Sequence, residues 1–174
     1  MTPRVVLVGL PGSGKTSTGK RLAKILNLAF ADSDDLVEAA TGRRVVQLFA
    51  DDGEPAFRAA EAAAIQGALD AFDGVLALGG GAVVDAGTRA AVQASDATVV
   101  LLRASLATLA GRVGDASSRP LLAGDAAQRL EQLAAARAAD YDEVATVVVD
   151  TDGRSPSQVA SHIAAVLHRS GALS

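Results

Sequence analysis

The 174-residue chain carries a formal net charge of −4, is 49% hydrophobic and only 3% aromatic, and contains no cysteine. That balance fits a single domain with a sizeable core and excludes a disordered chain, disulfides, thiolate metal sites and cysteine nucleophiles. No apolar run approaches the roughly 20 residues of a membrane span, and Met1-Thr2-Pro3-Arg4 lacks the shape of a secretory signal. A net negative chain is poorly suited to a broad nucleic-acid face. The expectation is therefore a cytoplasmic protein with neither membrane nor nucleic-acid partner. All three lysines, Lys15, Lys20 and Lys24, lie within ten residues, which points to a local anion site.

In chain order, Val5–Val8 reads as a buried strand and about 14–26 as a helix, followed by a short strand near 28–31. Helical segments follow at 34–40, 45–49 and 54–72, with Pro55 suited to a first turn. Further apolar runs at 75–78, 98–102 and 146–149 read as strands, and a closing helix lies near 156–168, carrying His162 and His168 as structural or surface residues. Continuous apolar strands separated by helices predict a parallel sheet covered on both faces, a three-layer α/β/α fold. Residues 114–124 have glycines at both ends, a proline and no periodicity. A loop of that length in a compact domain is usually functional.

Gly9-Leu10-Pro11-Gly12-Ser13-Gly14-Lys15-Thr16 matches the full phosphate-binding P-loop pattern between a strand and a helix. Its glycines let backbone N–H groups turn inward around phosphate, and the following helix adds its positive dipole end. Lys15 is placed for the β- and γ-phosphates of ATP and Thr16 for Mg²⁺.

Asp32 and Asp34 stand two apart after the second strand, so continued strand geometry would face both to one site. One could then hold Mg²⁺ through water and the other accept a proton from an attacking hydroxyl. Helix capping explains the same pair equally well. Asp35 and Glu38 have capping-box spacing, which assigns Asp35 to structure. Arg58 shares a helix face with Glu54 and Glu61, the pattern of a solvated surface pair or of an arginine that grips a carboxylate. Gly79-Gly80-Gly81 directly after a strand suggests close approach of a ligand to the backbone.

Together these motifs resemble the shikimate kinase family. The P-loop, Asp32-Ser33-Asp34, Gly53-Glu54 with Phe57-Arg58 and Glu61, Gly79–Gly81, Arg119-Pro120-Leu121-Leu122, Arg137 with Tyr141, and Arg154 ahead of Pro156 appear in family order. The resemblance implies a P-loop kinase fold with a five-stranded parallel sheet in one domain, 1–174. The substrate-binding region would span about 33–61 and a lid about 113–125. It also implies transfer of the ATP γ-phosphate to the 3-hydroxyl of shikimate, on the way to chorismate and the aromatic amino acids, by a monomer.

Under that resemblance Gly12, Ser13, Gly14, Lys15, Thr16 and Ser17 hold the nucleotide phosphates, and Thr16 with Asp32 holds Mg²⁺. Lys15, Asp34 and Arg119 act on the reacting groups, with Asp34 at the accepting hydroxyl and Arg119 delivered by the lid. Arg58 and Arg137 bind the shikimate carboxylate, Glu61 orients Arg58 and the ring hydroxyls, and Gly79, Gly80 and Gly81 offer backbone contacts. Phe49 and Phe57 line the ring pocket, while Arg112 and Arg154 lie against adenine. The Thr16-Ser17 order, inverted in many members, still leaves a hydroxyl for the metal; the sparsely basic lid bears on ATP affinity. Two other functions fit part of the pattern: a kinase for another small hydroxy acid such as gluconate, or a nucleotide-binding module without turnover.

Overall fold

In the run Val5–Val8 (β1), Val5 and Leu7 share a core cluster with Leu22, Ala23, Val159 and Ile163, whereas Val6 and Val8 share one with Ile65, Leu69, Val92 and Val144. A strand buried on both faces needs cover on both, and the chain supplies it. The computed structural model describes residues 3–112 and 125–172. β1 and four further strands, β2 (Ala29–Asp32), β3 (Gly74–Ala77), β4 (Thr98–Arg103) and β5 (Val147–Asp150), form one parallel sheet in the order β2-β3-β1-β4-β5. Helices α1 (Lys15–Leu26) and α7 (Pro156–Ser170) pack on one face. Helices α3 (Val45–Ala71), α4 (Ala86–Ala94) and α6 (Ala126–Val144) pack on the other. Each fully buried aliphatic side chain of these layers contributes about 1.5–3 kcal/mol.

The three-layer α/β/α expectation and the five-stranded parallel sheet hold. Because β1 lies between β3 and β4 rather than beside β2, its carboxyl end opens at the crevice where ligands bind in such sheets. Strand and helix bounds fall close to the sequence expectation. α4, α6 and the short α5 (Leu106–Arg112) occupy stretches for which the sequence reading set no bounds.

Two local features shape the region ahead of β3. Helix α2 (Ser33–Thr41) begins one residue earlier than expected, directly after β2, with Asp32 as its N-cap accepting from Asp34 N at 3.0 Å. This corrects the expected Asp35–Glu38 capping box. Asp35 sits exposed inside the first turn, and Glu38 instead accepts from Val45 N at 2.9 Å, the amide that opens α3. Within α3, Gly53 at φ 83 and ψ 174 breaks the helical path, giving the two expected segments on either side. A small satellite core of Val37, Leu48 and Phe57 joins α2 to both halves of α3.

At the start of β3, Gly74 pairs in register with Ala29 of β2. A methyl group there would overlap the Ala29 carbonyl oxygen and meet Phe72 Cζ at 2.7 Å. Replacing a strand glycine ordinarily stabilises by about 0.5–1 kcal/mol, but overpacking against backbone reverses the sign. Gly74→Ala is expected to lower unfolding free energy by about 1–3 kcal/mol in urea titration. An unchanged midpoint would refute the close packing.

Candidate active site

The P-loop after β1 and the N-terminus of α1 form one wall of a cleft of about 520 Å³. Gly14, the N-cap of α1, has φ 89 and no side chain to offer a cap. The first-turn amides, which have no partner within the helix, therefore lie on the cleft wall, and no acidic residue in that turn opposes an anion. Gly12, Ser13, Gly14, Lys15, Thr16 and Ser17 all line this space. Lys15 folds over its own loop, with Nζ 2.7 Å from Gly9 O and 3.0 Å from Leu10 O.

Asp32 faces both ways. Its Oδ1 caps α2, and its Oδ2 accepts from Thr16 Oγ1 at 2.7 Å, linking α2 to the P-loop. The cap is therefore observed at Asp32, and its second oxygen remains on the cleft side with Thr16. Continued strand geometry does not bring Asp34 to the cleft, since α2 has already begun; the first helical turn does so instead. Among the described residues no group of three His, Asp or Glu side chains is arranged to hold a metal ion. Thr16 and Asp32 nonetheless present adjacent hard oxygens at the phosphate wall, the donor chemistry that suits Mg²⁺.

Arg112 and Arg154 complete another part of the lining with Thr151, Pro156 and Val159. Arg112 donates to Thr151 Oγ1 and to Thr151 O, both at 3.1 Å, which fixes its guanidinium plane. Arg154 is exposed.

Behind this cleft, meeting it at Asp34, Gly79 and Gly80, lies a second group of predicted residues. Glu61 is buried at 2% exposure and accepts from Arg58 Nη1 at 2.7 Å through Oε1. Its Oε2 has no hydrogen-bond partner among the described residues, and burial raises its carboxyl above the ordinary range despite the neighbouring Arg58. The Arg58 guanidinium lies over the Phe57 ring, 5.2 Å from its centroid, and against Gly81, where any β-carbon would collide with it. Arg137, only 5% exposed, puts Nη1 3.3 Å from the position a Gly80 β-carbon would take. Phe57 is buried in the satellite core, and half-buried Phe49 meets it at 4.7 Å between ring centroids.

Two guanidinium groups thus converge on one glycine turn. Phe49, Phe57, Arg58, Glu61 and Arg137 adjoin the 520 Å³ cleft rather than lining it. Arg119 and nearly all of the expected lid, 113–124, lie outside the described residues.

Sequence reasoning missed two members. Ser33, fully buried, accepts from Gly79 N at 2.8 Å and so pins the glycine turn to α2. Thr151, also buried, orients Arg112. Ser33 sits inside the noticed Asp-Ser-Asp triplet, but its partner is 46 residues away, and no local pattern announces that bond.

Asp34 is the electrostatic centre. Burial, then the Asp32 and Glu61 charges, push its carboxyl from 3.8 up to about 6, against the opposing pull of Lys15 and Arg58. The folded state therefore holds the Asp34 proton more tightly than the unfolded chain. The associated stability is fully present below the unfolded value and lost as pH rises through about 6. Asp34→Asn removes that ionisation. The variant is expected to be more stable than the parent by about 1–3 kcal/mol above pH 7, with the gain vanishing below about pH 4. Urea unfolding across that range measures it, and a pH-independent difference would contradict the assignment.

Comparison with known proteins places this geometry. The family model described as shikimate kinase matches residues 11–168. A shikimate kinase of Mycobacterium tuberculosis is 49% identical over 164 residues, covering 94% of this chain and 92% of that protein. Among solved structures, shikimate kinase from Acinetobacter baumannii in complex with shikimate superposes with a TM-score of 0.92 at 30% identity, covering 98% of this chain and 94% of that one. A gluconokinase from Sinorhizobium meliloti shares the fold, with a TM-score of 0.60 at 21% identity over 97% of this chain and 93% of that one.

Proposed function

The chain belongs to the shikimate kinase family, and from that premise we propose that it transfers the γ-phosphate of ATP to the 3-hydroxyl of shikimate. The products are shikimate 3-phosphate and ADP, and the reaction is a step toward chorismate and the aromatic amino acids. The observation that carries this reading is the convergence of Arg58 and Arg137 on the Gly80–Gly81 turn, beside Asp34 and next to a P-loop cleft. Paired planar guanidinium groups suit a substrate carboxylate, which they can hold by parallel N–H···O bonds. The resemblance to a relative crystallised with shikimate supports the same acid.

Residues 12–17 line the cleft for the ATP phosphates, and Lys15 leaves its own loop carbonyls to meet the β- and γ-oxygens. Thr16 and Asp32 would hold Mg²⁺ there, which would supply positive charge against the phosphates. Asp34 accepts the hydrogen bond of the attacking 3-hydroxyl and takes its proton as the phosphoryl group arrives. A carboxyl near 6 is a better base than an ordinary aspartate yet still ionised at neutral pH. Glu61 holds Arg58 at its carboxylate station and keeps one oxygen for substrate hydroxyls. Arg112 and Arg154 flank adenine, with the Arg112 plane fixed by Thr151. Arg119 is proposed to reach the transferring phosphoryl group. Among the described residues no helix is long and apolar enough to cross a membrane.

A coupled ADP-release assay with shikimate and gluconate side by side tests the reading. Turnover is expected with shikimate, and a preference for gluconate would sink it. Arg58→Ala is expected to raise the shikimate KM by about 30–100-fold and leave the ATP KM nearly unchanged, as befits loss of a charge-assisted contact worth about 2–3 kcal/mol. The kcat/KM for shikimate should fall about tenfold per unit as pH drops below about 6, as Asp34 takes up its proton. A profile flat from pH 7 to 5 would remove Asp34 from the role of base.

A further inference from the structure

We propose that Tyr141 is a positioning residue for the acid substrate, holding Arg137 and the Gly80 carbonyl together through its hydroxyl. The proposal rests on the reading above, in which Arg137 and the Gly80–Gly81 turn contact that substrate.

Tyr141 and Arg137 stand four apart on α6 and so share one helix face. The Tyr141 hydroxyl donates to Gly80 O, 61 residues away, in a short hydrogen bond. A phenol has one proton to give, and an arginine has donors only. A contact between the two can therefore run only from guanidinium to phenol oxygen, and the Arg137 charge acts on the phenol. Such a contact extends the observed bond in one direction, from Arg137 N–H to the Tyr141 oxygen and from the Tyr141 O–H to the Gly80 carbonyl. Burial pushes the phenol up to about 12, so the proton that gives the chain its direction stays in place across the working range.

Each end of this chain meets the substrate side of the turn. Arg137 Nη1 lies 3.3 Å from where a Gly80 β-carbon would stand, and the Gly80 carbonyl belongs to the peptide that leads into Gly81, against which Arg58 lies. Without the hydroxyl, a long arginine loses an orienting acceptor and a backbone carbonyl loses its donor, while every group that touches ligand is retained. Tyr141 itself is only 5% exposed, sits in the core cluster with Ala82, Val83 and Val144, and does not line the 520 Å³ cleft. It acts through its neighbours.

Tyr141→Phe keeps the ring and deletes the hydroxyl. In steady-state assays the shikimate KM is expected to rise about 5–30-fold, while the ATP KM and kcat stay within about twofold. The Arg137→Ala variant alone should raise the shikimate KM further. The double variant should lose less than the product of the two single losses, because the hydroxyl acts in part through Arg137. Equal rises in both KM values, or fully multiplicative losses, would overturn the proposal. A purely structural role would lower the urea midpoint and leave the ratio of the two KM values untouched. Wild-type turnover of shikimate in the same experiment separates the two readings. An inactive wild type counts against the kinase assignment and the Tyr141 role together, whereas an active wild type with an indistinguishable Tyr141→Phe variant overturns the role of Tyr141 alone.

Discussion

A β-carbon at Gly79 would lie 2.6 Å from Glu61 Oε2, one at Gly80 2.9 Å from Pro11 Cδ, and one at Gly81 2.7 Å from Arg58 Cζ. Three consecutive residues without side chains thus let an acidic group, the P-loop proline and a guanidinium close on the same stretch of backbone. The rest of the site depends on that closure. Ser33 pins Gly79 to α2, Tyr141 pins Gly80 to α6, and Arg58 brings α3 onto Gly81. Four separate elements are gathered at the carboxyl end of β3, beside the crevice that the sheet order already opens at β1.

Gathering charge in this way works against the stability of the fold. Glu61 is nearly inaccessible with one oxygen unpartnered among the described residues, and Asp34 sits in a setting that favours its neutral form. Burying carboxylates costs several kcal/mol unless each is paired and hydrogen-bonded. Arg58 offsets part of that cost for Glu61, at 2.7 Å, and less of it for Asp34. The two aliphatic layers above and below the sheet are what tolerate the remainder. An incoming acid would meet such a site already assembled on the Arg58 side, because Glu61 holds that guanidinium in place.

The parts of this arrangement that were legible in the sequence are those whose cause is local. The P-loop is contiguous, its glycines and Lys15-Thr16 being read in one glance, and the buried strands announce themselves as apolar runs. Gly53 and Pro55 likewise marked the break in α3. The misses have a common physical origin. Asp35–Glu38 had the right spacing for a cap, but β2 runs on to Asp32, so the helix starts earlier and a different aspartate caps it. Ser33 and Thr151 matter through partners brought near by the sheet, and spacing along the chain carries no trace of them. By spacing alone Arg58 fitted a surface ion pair as well as a carboxylate grip, because Glu54 and Glu61 both sit at helical distance. Only the fold reveals that Glu61 is buried and Glu54 exposed, which turns one of the two pairs inward.

That distinction bears on how a shared fold acquires its substrate. The phosphate wall is built from one continuous segment and needs only β1 and α1, so it can be carried by the fold whatever the acceptor. The proposed acceptor side has no such autonomy. Its arginines come from α3 and α6, its carboxylates from α2 and α3, and its floor from the turn after β3. Changing the acceptor therefore means altering several elements that touch at a few atoms, where a shift of about 1 Å is enough to cost two orders of magnitude in rate. Asp32 is the one side chain that belongs to both sides, with one oxygen on Thr16 and the other at the start of α2. Through it the position of the P-loop hydroxyl and that of Asp34, two residues further on, are set by the same group.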